Sequence, residues 1–343
     1  MVKAMGSKGK GIAAIVAIII IVGAAYLGYS YFMKPAPETL VFGLDWVVYG
    51  RHAPYFVALD KGFFAQENLN VTIVRGYGSA DAVTRVATGR TNIGFGDMSS
   101  LIIARAKDPN IKVKMVAMIY GKAPFTVFTL KSSGISQPKQ LENRSLSVAG
   151  PGDASYVLFP ACAKAAGIDP TKVKWVFVEP AVKTPMLMAG QVDAMTEFIM
   201  QKPVLEKAAA DKGGINVILW ADYGLKLYSN GILMTEDLIK TKPDVVRGFL
   251  RALVKGFEYT FNNPDEAATI ILKYYPTLEK DVVRAEIDIV KGLALTPEAQ
   301  QNGIGYLSPE KVQSTLDAIV QAYKLETKIA AGDIYTNEFL PRK

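Results

Sequence analysis

The residues best suited to bind a small molecule follow the first β-rich run, in LDWVVYGRHAPYFVALDKGFF at residues 44–64. An acid and four ring-bearing side chains lie close together there: Asp45, Trp46, Tyr49, His52 and Tyr55. Aromatic faces stack on planar rings, and a carboxylate accepts hydrogen bonds from ring amino groups. This spacing predicts a site for a planar heterocycle at the end of a strand, where α/β sheets bind ligands. The alternative for Tyr55 is a place in the helix core.

Three glycine-containing segments precede predicted helices: GYGSADAV at 76–83, GFGDMSS at 94–100 and GPGDASY at 150–156. The free N–H groups of a helix start can hold an anion or a ring oxygen. The candidate residues in these segments are Gly78, Ser79, Asp97, Met98 and Asp153. For Ser79 the alternative is a plain N-cap.

Two further polar residues are candidates, and Arg51 is left between a ligand contact and a solvated charge. Glu197 ends the predicted strand VDAMTE, where an acid forms either a hinge salt bridge or a ligand acceptor. Tyr228 lies where the chain is expected to recross between two lobes. Arg51 can pair with a ligand carboxylate, sulfonate or phosphate, or be a solvated arginine beside a turn.

Composition excludes several classes of function. His52 and Cys162 are the only histidine and cysteine, which excludes disulfide frameworks and zinc sites of the Cys/His type. Four of the 39 basic residues precede the first acid, Glu38, which leaves 35 basic against 32 acidic residues. So small an excess gives no reason to expect nucleic acid. We expect no metal, no cofactor and no catalysis.

The first segment predicts a membrane anchor. Residues 12–33 contain no charge and, as a helix of about 33 Å, are long enough to cross a bilayer core. Three lysines precede them, so the N-terminus is expected in the cytoplasm and the rest of the chain outside. Residues 1–33 are thus a cytoplasmic tip and transmembrane anchor, and 34–38 a linker. A cleaved signal peptide is the alternative.

After residue 38, short β-rich runs alternate with helical stretches, which predicts an α/β fold with mostly parallel sheets. Two long strands near residues 113–131, separated only by 121–124, indicate a chain that leaves one lobe for another. Residues 39–122 and 228–343 are therefore assigned to lobe 1 and residues 123–227 to lobe 2. The amphipathic helices between residues 235 and 324 are expected to pack against lobe 1.

The LDW…H…Y spacing, with GFGDMSS and VDAMTEF, resembles periplasmic binding proteins for nitrate, sulfonates and thiamine-pyrimidine precursors, and the pyrimidine group most. The resemblance covers nearly all of residues 39–265. It implies a type II periplasmic-binding-protein (Venus-flytrap) fold, a pocket that includes Trp46, His52 and Tyr55, and an ABC permease and ATPase as partners. The flanks of His52 depart from the pyrimidine group's pattern, so the resemblance leaves the ligand open.

The leading hypothesis is a monomeric substrate-binding subunit that closes on a planar heterocycle such as a thiamine pyrimidine precursor. The first alternative is an organic anion: an alkyl sulfonate, nitrate or aromatic carboxylate. Asp45, Asp97 and Glu197 disfavour it, because unpaired carboxylates repel anions. The second alternative is an enzyme like the eukaryotic thiamine pyrimidine synthases, which this chain resembles without their cysteine-rich motif.

Overall fold

The computed structural model describes residue 16 and residues 18–23, 36–225 and 227–341. The chain divides into two units, Met1–Pro37 and Glu38–Lys343. Within the described part, no helix combines the length and the apolar character that a membrane crossing requires. Most of the predicted anchor at residues 12–33 lies outside the described residues, so the anchor stays a prediction.

The first sheet has the strand order β2-β1-β3-β10-β4. Its strands are β1 (Glu38–Gly43), β2 (Leu69–Val74), β3 (Ile93–Asp97), β4 (Val113–Met118) and β10 (Asn230–Thr235). β1 pairs in parallel with β2 and β3, whereas β10 is antiparallel to β3 and β4. Every residue of β3 is buried, as expected of a central strand covered by helices on both faces.

The second sheet repeats this arrangement in the order β7-β6-β8-β5-β9. Its strands are β5 (Phe125–Leu130), β6 (Ser145–Val148), β7 (Lys174–Phe177), β8 (Ala194–Phe198) and β9 (Ile215–Leu219). β6 is parallel to β7 and β8, and β5 is antiparallel to β8 and β9. In each sheet the antiparallel strand is the one that the chain enters after leaving the other sheet.

The helices connect and cover these strands. They are α1 (Ala53–Asp60), α2 (Phe63–Gln66), α3 (Ser79–Ala87), α4 (Met98–Lys107), α5 (Ala154–Ala165), α6 (Pro180–Met188), α7 (Lys202–Ala208), α8 (Glu236–Thr241), α9 (Pro243–Asn262), α10 (Pro264–Tyr274), α11 (Lys280–Ala294), α12 (Pro297–Asn302), α13 (Pro309–Tyr323) and α14 (Ala331–Ile334). Several start at a proline, whose fixed φ suits the first helical position. We call the first sheet with α1–α4 the first-sheet lobe, and the second sheet with α5–α7 the second-sheet lobe.

The C-terminal helices belong to the same unit as both sheets, and they contact more than the first-sheet lobe. α9 packs on α1 and α2, as expected. α11, however, also contacts α7 and the 3-10 turn Ile199–Gln201, and α13 contacts both α4 and α5. The amphipathic pattern identified a buried face but could not show that two lobes share it. The predicted lobe boundaries at residues 122 and 227 stay predictions.

Candidate functional site

The loop after β1 is held against helix α11. It ends in a 3-10 turn, Gly50–His52, that leads directly into α1. A Cβ at Gly50 would lie 2.6 Å from Glu286 Oε2 and 2.6 Å from the Val283 Cα, so only glycine allows this approach. The backbone N–H of Arg51 donates to Glu286 Oε2 at 3.1 Å. The C-terminal helix thus fixes the loop that carries the predicted site residues.

Asp45 is the centre of a buried polar cluster. Arg51 Nη2 donates to its two carboxylate oxygens at 3.0 and 3.1 Å, and Asn230 Nδ2 donates at 2.8 Å. His52 Nε2 lies 3.2 Å from Asp45 Oδ1. Burial by itself would raise the pKa of Asp45, but the Arg51 charge and the His52 hydrogen bond outweigh it and lower that pKa. Asp45 is therefore an ionised carboxylate whose oxygens already have partners.

His52 is neutral, and its tautomer follows from its contacts. The Tyr49 N–H donates to His52 Nδ1 at 3.1 Å, so the ring proton lies on Nε2 and is donated to Asp45. Burial, with the nearby Arg51 charge, lowers the pKa of His52 to about 4. Both ring nitrogens therefore form hydrogen bonds within the protein, one to the Tyr49 backbone and one to Asp45.

The second-sheet lobe contributes a second charged pair. Lys183 on α6 is buried and donates to Glu197 Oε2 on β8 at 3.1 Å. Lys183 Nζ also lies 5.7 Å from the ring centre of Trp46, and Arg51 Cζ lies 5.1 Å from the ring centre of Phe198. Each lobe therefore places a cation over an aromatic ring of the other lobe.

These residues surround a narrow cavity between the lobes, which we call the cleft. Its volume is only about 10 Å³, and it is lined by Asp45, Trp46, Arg51, Gly78, Ser79, Asp153, Ala154, Ser155, Glu197 and Phe198. The lobes meet at its edge, where the Ala80 N–H donates to the Gly152 carbonyl at 3.3 Å. Small-molecule sites usually measure about 300 to 1,000 Å³, so any ligand larger than water requires the lobes to separate.

The structure brings half of the predicted site residues together and separates the others. Asp45, Trp46, Gly78, Ser79, Asp153 and Glu197 line the cleft. His52, Tyr55, Asp97 and Met98 are buried and do not line it. Tyr49 lines a different cavity with α7 and α11, and the Tyr228 hydroxyl accepts the Ser308 N–H at 2.8 Å. Whether these residues bind ligand stays a prediction.

The three predicted helix starts differ in how they are capped. Gly78 is the N-cap of α3, and Ser79 is the first residue of the helix. No side chain caps this helix, so the Ser79 N-cap alternative is wrong. Asp97 caps α4 by accepting the N–H groups of Ser99 and Ser100 at 2.8 and 3.3 Å. Burial raises the pKa of Asp97 to about 6, although its hydrogen bonds oppose the rise. Of the three starts, those of α3 and α5 line the cleft.

The argument from unpaired carboxylates against an anion is also wrong. Asp45 pairs with Arg51, Asp97 caps α4, and Glu197 pairs with Lys183. The sequence shows the three acids but not their partners, because the Lys183–Glu197 pair and the Asn230 contact join different elements of the fold.

Sequence reasoning missed several residues of the cleft and its support. Arg51 is 3% exposed and therefore not a solvated arginine. Its position six residues after Asp45, in an otherwise apolar run, was an available signal of a buried pair. Ala154, Ser155 and Phe198 also line the cleft, while Lys183, Asn230 and Glu286 hold its charged groups. Nothing in the local pattern marks the last three.

The ionisable groups offer little for metal binding or covalent chemistry. In the parts of the chain that the structure covers, no cluster of three His, Cys, Asp or Glu residues could hold a metal ion. Cys162 is buried in α5, and burial raises the pKa of its thiol. A buried thiol of this kind is a poor nucleophile.

The sequence model of the family described as "NMT1/THI5 like" matches residues 50–267. The riboflavin-binding protein RibY of Chloroflexus aurantiacus is 26% identical, covering 90% of this chain and 88% of that protein. A formylaminopyrimidine-binding protein of Halalkalibacterium halodurans is 28% identical, covering 88% of this chain and 91% of that protein. A 4-amino-5-hydroxymethyl-2-methylpyrimidine phosphate synthase of Legionella pneumophila is 26% identical, covering 68% of this chain and 73% of that protein.

Solved structures identify the architecture. The alkanesulfonate-binding protein SsuA from Xanthomonas axonopodis pv. citri superposes with a TM-score of 0.70 at 14% identity, covering 88% of this chain and 99% of that one. At that identity the likeness shows the fold alone. The chain has the two-sheet α/β fold of periplasmic binding proteins.

Proposed function

This chain belongs to the NMT1/THI5-like family, and from that premise we propose that it is the extracytoplasmic solute-binding subunit of an ABC importer. One observation carries the proposal: the cleft is lined from both lobes, and each lobe places a cation over an aromatic ring of the other. Such contacts form only when the lobes are close together. A ligand held between the lobes would therefore be coupled to their closure, which is how two-lobed proteins capture solutes.

The proposed ligand is a small planar heterocycle. Trp46 supplies a buried ring beside the cleft, and the starts of α3 and α5 lie on its two sides. The two similar binding proteins are named for riboflavin and for a formylaminopyrimidine, both of which contain flat nitrogen heterocycles. Either a single ring or a flavin requires the lobes to separate, and the flavin requires the wider separation.

Binding without catalysis agrees with the chemistry of the cleft. The one histidine uses Nδ1 to accept from Tyr49 and Nε2 to donate to Asp45, so it has no nitrogen available as a general base. The one cysteine is buried in α5 and away from the cleft lining. These groups support a transport role over the synthase activity named for other relatives.

The proposed location is outside the cytoplasmic membrane, on an N-terminal anchor. Residues 12–33 are uncharged, and Lys3, Lys8 and Lys10 precede them. This charge asymmetry favours an N-terminus in the cytoplasm. The permease and ATPase partners are inferred from the importer role.

Ligand binding is tested with the full chain in detergent. Thermal shift is measured with riboflavin, 4-amino-5-hydroxymethyl-2-methylpyrimidine, thiamine and the sulfonate MOPS. A ligand at 100 times its Kd stabilises the folded protein by about 2.7 kcal/mol. We expect at least one heterocycle to raise the Tm and the sulfonate to leave it unchanged. A response to the sulfonate alone would favour the organic-anion alternative instead.

Trp46→Ala tests the site itself. We expect the affinity for the heterocycle to fall at least about tenfold, because the variant removes a buried aromatic surface beside the cleft. Trp175→Ala is the matched control, since Trp175 packs against Tyr156 and Phe159 outside the cleft. Isothermal titration calorimetry measures both. Equal affinities in the two variants would remove Trp46 from the site.

A further inference from the structure

Two buried hydrogen-bond donors at the cleft have no partner. Among the described residues, Trp46 Nε1 has no hydrogen-bond partner, and Arg51 Nη1 has none within hydrogen-bond geometry, although the Tyr120 hydroxyl interacts with its guanidinium. Both residues line the cleft, and they are only 3% and 6% exposed. Because an unsatisfied buried donor is costly, a ligand group that accepts hydrogen bonds at these atoms would be favoured.

The guanidinium of Arg51 is divided between two roles. Nη2 donates to both oxygens of Asp45, which fixes the plane of the group. Nη1 carries two N–H groups of its own. The Tyr120 phenol lies near the guanidinium and interacts with it. The Tyr120 oxygen can accept a hydrogen bond from only one of those two N–H groups, so the other is left for a ligand.

The acceptors of the cleft, in contrast, are already used. Asp45 accepts from Arg51, His52 and Asn230, and Glu197 accepts from Lys183. Asp153 accepts the Ser155 N–H at 2.8 Å as the N-cap of α5. Among the described lining residues, the buried side-chain atoms without partners are both donors.

The charges around the cleft favour a neutral ligand. Asp45, Asp153 and Glu197 line it, against the two cations Arg51 and Lys183. His52 adds no charge, because its pKa is lowered to about 4. Because both cations are already paired with acids, an anion would find no unpaired positive charge to balance it, whereas a neutral carbonyl oxygen needs only the hydrogen bonds.

We propose that the cleft selects a neutral heterocycle with ring carbonyl oxygens, bound by Arg51 Nη1 and Trp46 Nε1, over the same ring with amino groups at those positions. An amino group would direct hydrogens at two N–H donors and leave both unsatisfied. The inference rests on the proposed function, and it makes Arg51 a specificity-determining residue.

The test uses two probes of one shape: lumazine, which is 2,4-dioxopteridine, and 2,4-diaminopteridine. Binding to the full chain is measured by isothermal titration calorimetry at neutral pH, with MOPS as the anionic probe. We expect lumazine to bind at least about tenfold more tightly than the diamine, the ratio that a hydrogen bond from a charged donor provides.

Arg51→Lys removes the second guanidinium nitrogen while keeping a cation beside Asp45. We expect lumazine affinity to fall about tenfold and diamine affinity to stay the same, so that their ratio approaches one. A merely structural role would weaken both probes equally. Arg105→Lys is the matched control, because Arg105 is a buried arginine that donates to Val113 O and Glu236 outside the cleft. Should Arg51→Lys not fold, Trp46→Phe keeps a ring, removes Nε1–H and is expected to weaken lumazine about threefold.

The outcomes separate this inference from the proposed function. Equal or tighter binding of the diamine, or an Arg51→Lys variant that keeps the wild-type ratio, overturns the inference and leaves heterocycle binding intact. Binding of MOPS alone, or of no heterocycle in this and the thermal-shift series, overturns both.

Discussion

At the residue scale, the cleft is organised by charges that satisfy one another before any ligand arrives. Asp45 and Arg51 are both nearly fully buried, and three donors converge on that carboxylate. A buried ion pair of this kind contributes little net stability, but loss of one partner leaves an uncompensated charge that costs about 3 to 5 kcal/mol. The role of the Asp45–Arg51 pair is instead to fix the positions of Arg51 Nη1 and the Trp46 ring.

Glu286 gives a residue-scale prediction of pH dependence. Burial raises its pKa to about 8, although Arg51 and two backbone N–H groups oppose the rise. A carboxyl whose folded pKa lies above its unfolded value stabilises the fold at low pH and loses that contribution as pH rises through the folded pKa. Glu286→Gln lacks this dependence. From pH 5 to 8.5 we expect the free energy of unfolding of the wild type to fall by at least about 1 kcal/mol relative to that of the variant.

Urea unfolding at each pH measures this difference. His52 titrates in the opposite sense, since its lowered pKa makes acid destabilising, but it is present in both proteins and cancels in the comparison. Glu310→Gln, at an exposed position, is the control. A difference between wild type and Glu286→Gln that does not vary with pH would show that Glu286 ionises normally.

At the element scale, helix starts after strands of both lobes supply the polar surface near the cleft. α3 follows β2 and α5 follows β6, so their first turns face each other where Ala80 donates to the Gly152 carbonyl. α4 begins with the same kind of strand-to-helix turn but does not line the cleft. Similar sequence segments thus have different uses, because their strands occupy different places in the sheet.

Asp97 gives the element-scale prediction. Its carboxylate caps α4 through the N–H groups of Ser99 and Ser100. Asp97→Ala removes that acceptor, and we expect a loss of about 1 to 2 kcal/mol in the free energy of unfolding. Asp97→Asn keeps an oxygen at the cap, so its free energy of unfolding is expected to fall less. Denaturant unfolding compares them, and equal losses would mean that the charge, not the cap, stabilises this turn.

At the scale of the whole molecule, two lobes are closed on the cleft and the C-terminal helices join them. α11 contacts the loop at Gly50–His52, α7 and the turn Ile199–Gln201. Opening of the cleft must therefore change the packing of α11 against at least one lobe. The ligand and this helix would then act on the same equilibrium between open and closed forms.

Gly78→Ala tests closure. A Cβ at Gly78 would lie 2.6 Å from the Gly152 carbonyl oxygen of the opposite lobe, so the variant is expected to favour the open form. We expect a larger radius of gyration in small-angle X-ray scattering and about tenfold weaker binding of the heterocycle. Because Gly78 has φ of +127°, alanine also strains the backbone, and the scattering measurement separates opening from lost stability.

Gly152→Ala is the matched control for closure. A Cβ there would meet the Ala80 Cβ at 3.5 Å, an ordinary contact, so closure and affinity should match the wild type. If Gly78→Ala keeps both the wild-type radius and the wild-type affinity, the contact between the two loops does not limit closure.

The sequence by itself determined the order of strands and helices. It also indicated that the strands before and after residues 121–124 belong to different lobes. Alternating short β runs and amphipathic helices are local patterns, and β4 and β5 indeed lie in different sheets. It also placed Asp45 and Trp46 directly after the first strand, because the ends of strands in α/β sheets are where ligands meet the chain. The membrane anchor is still read from sequence alone.

Only the tertiary structure decided which groups remain available to a ligand. Asp45 receives Asn230 from 185 residues away, and Arg51 is tied to Glu286 across 235 residues. Partners at such separations have no periodic signature, because the folding of both sheets brings them together. Burial then turned Arg51 from a possible surface charge into a fixed donor and left Asp45 with no free oxygen. The physical reason is that a buried charge must be paired within the fold, and only the fold specifies the pair.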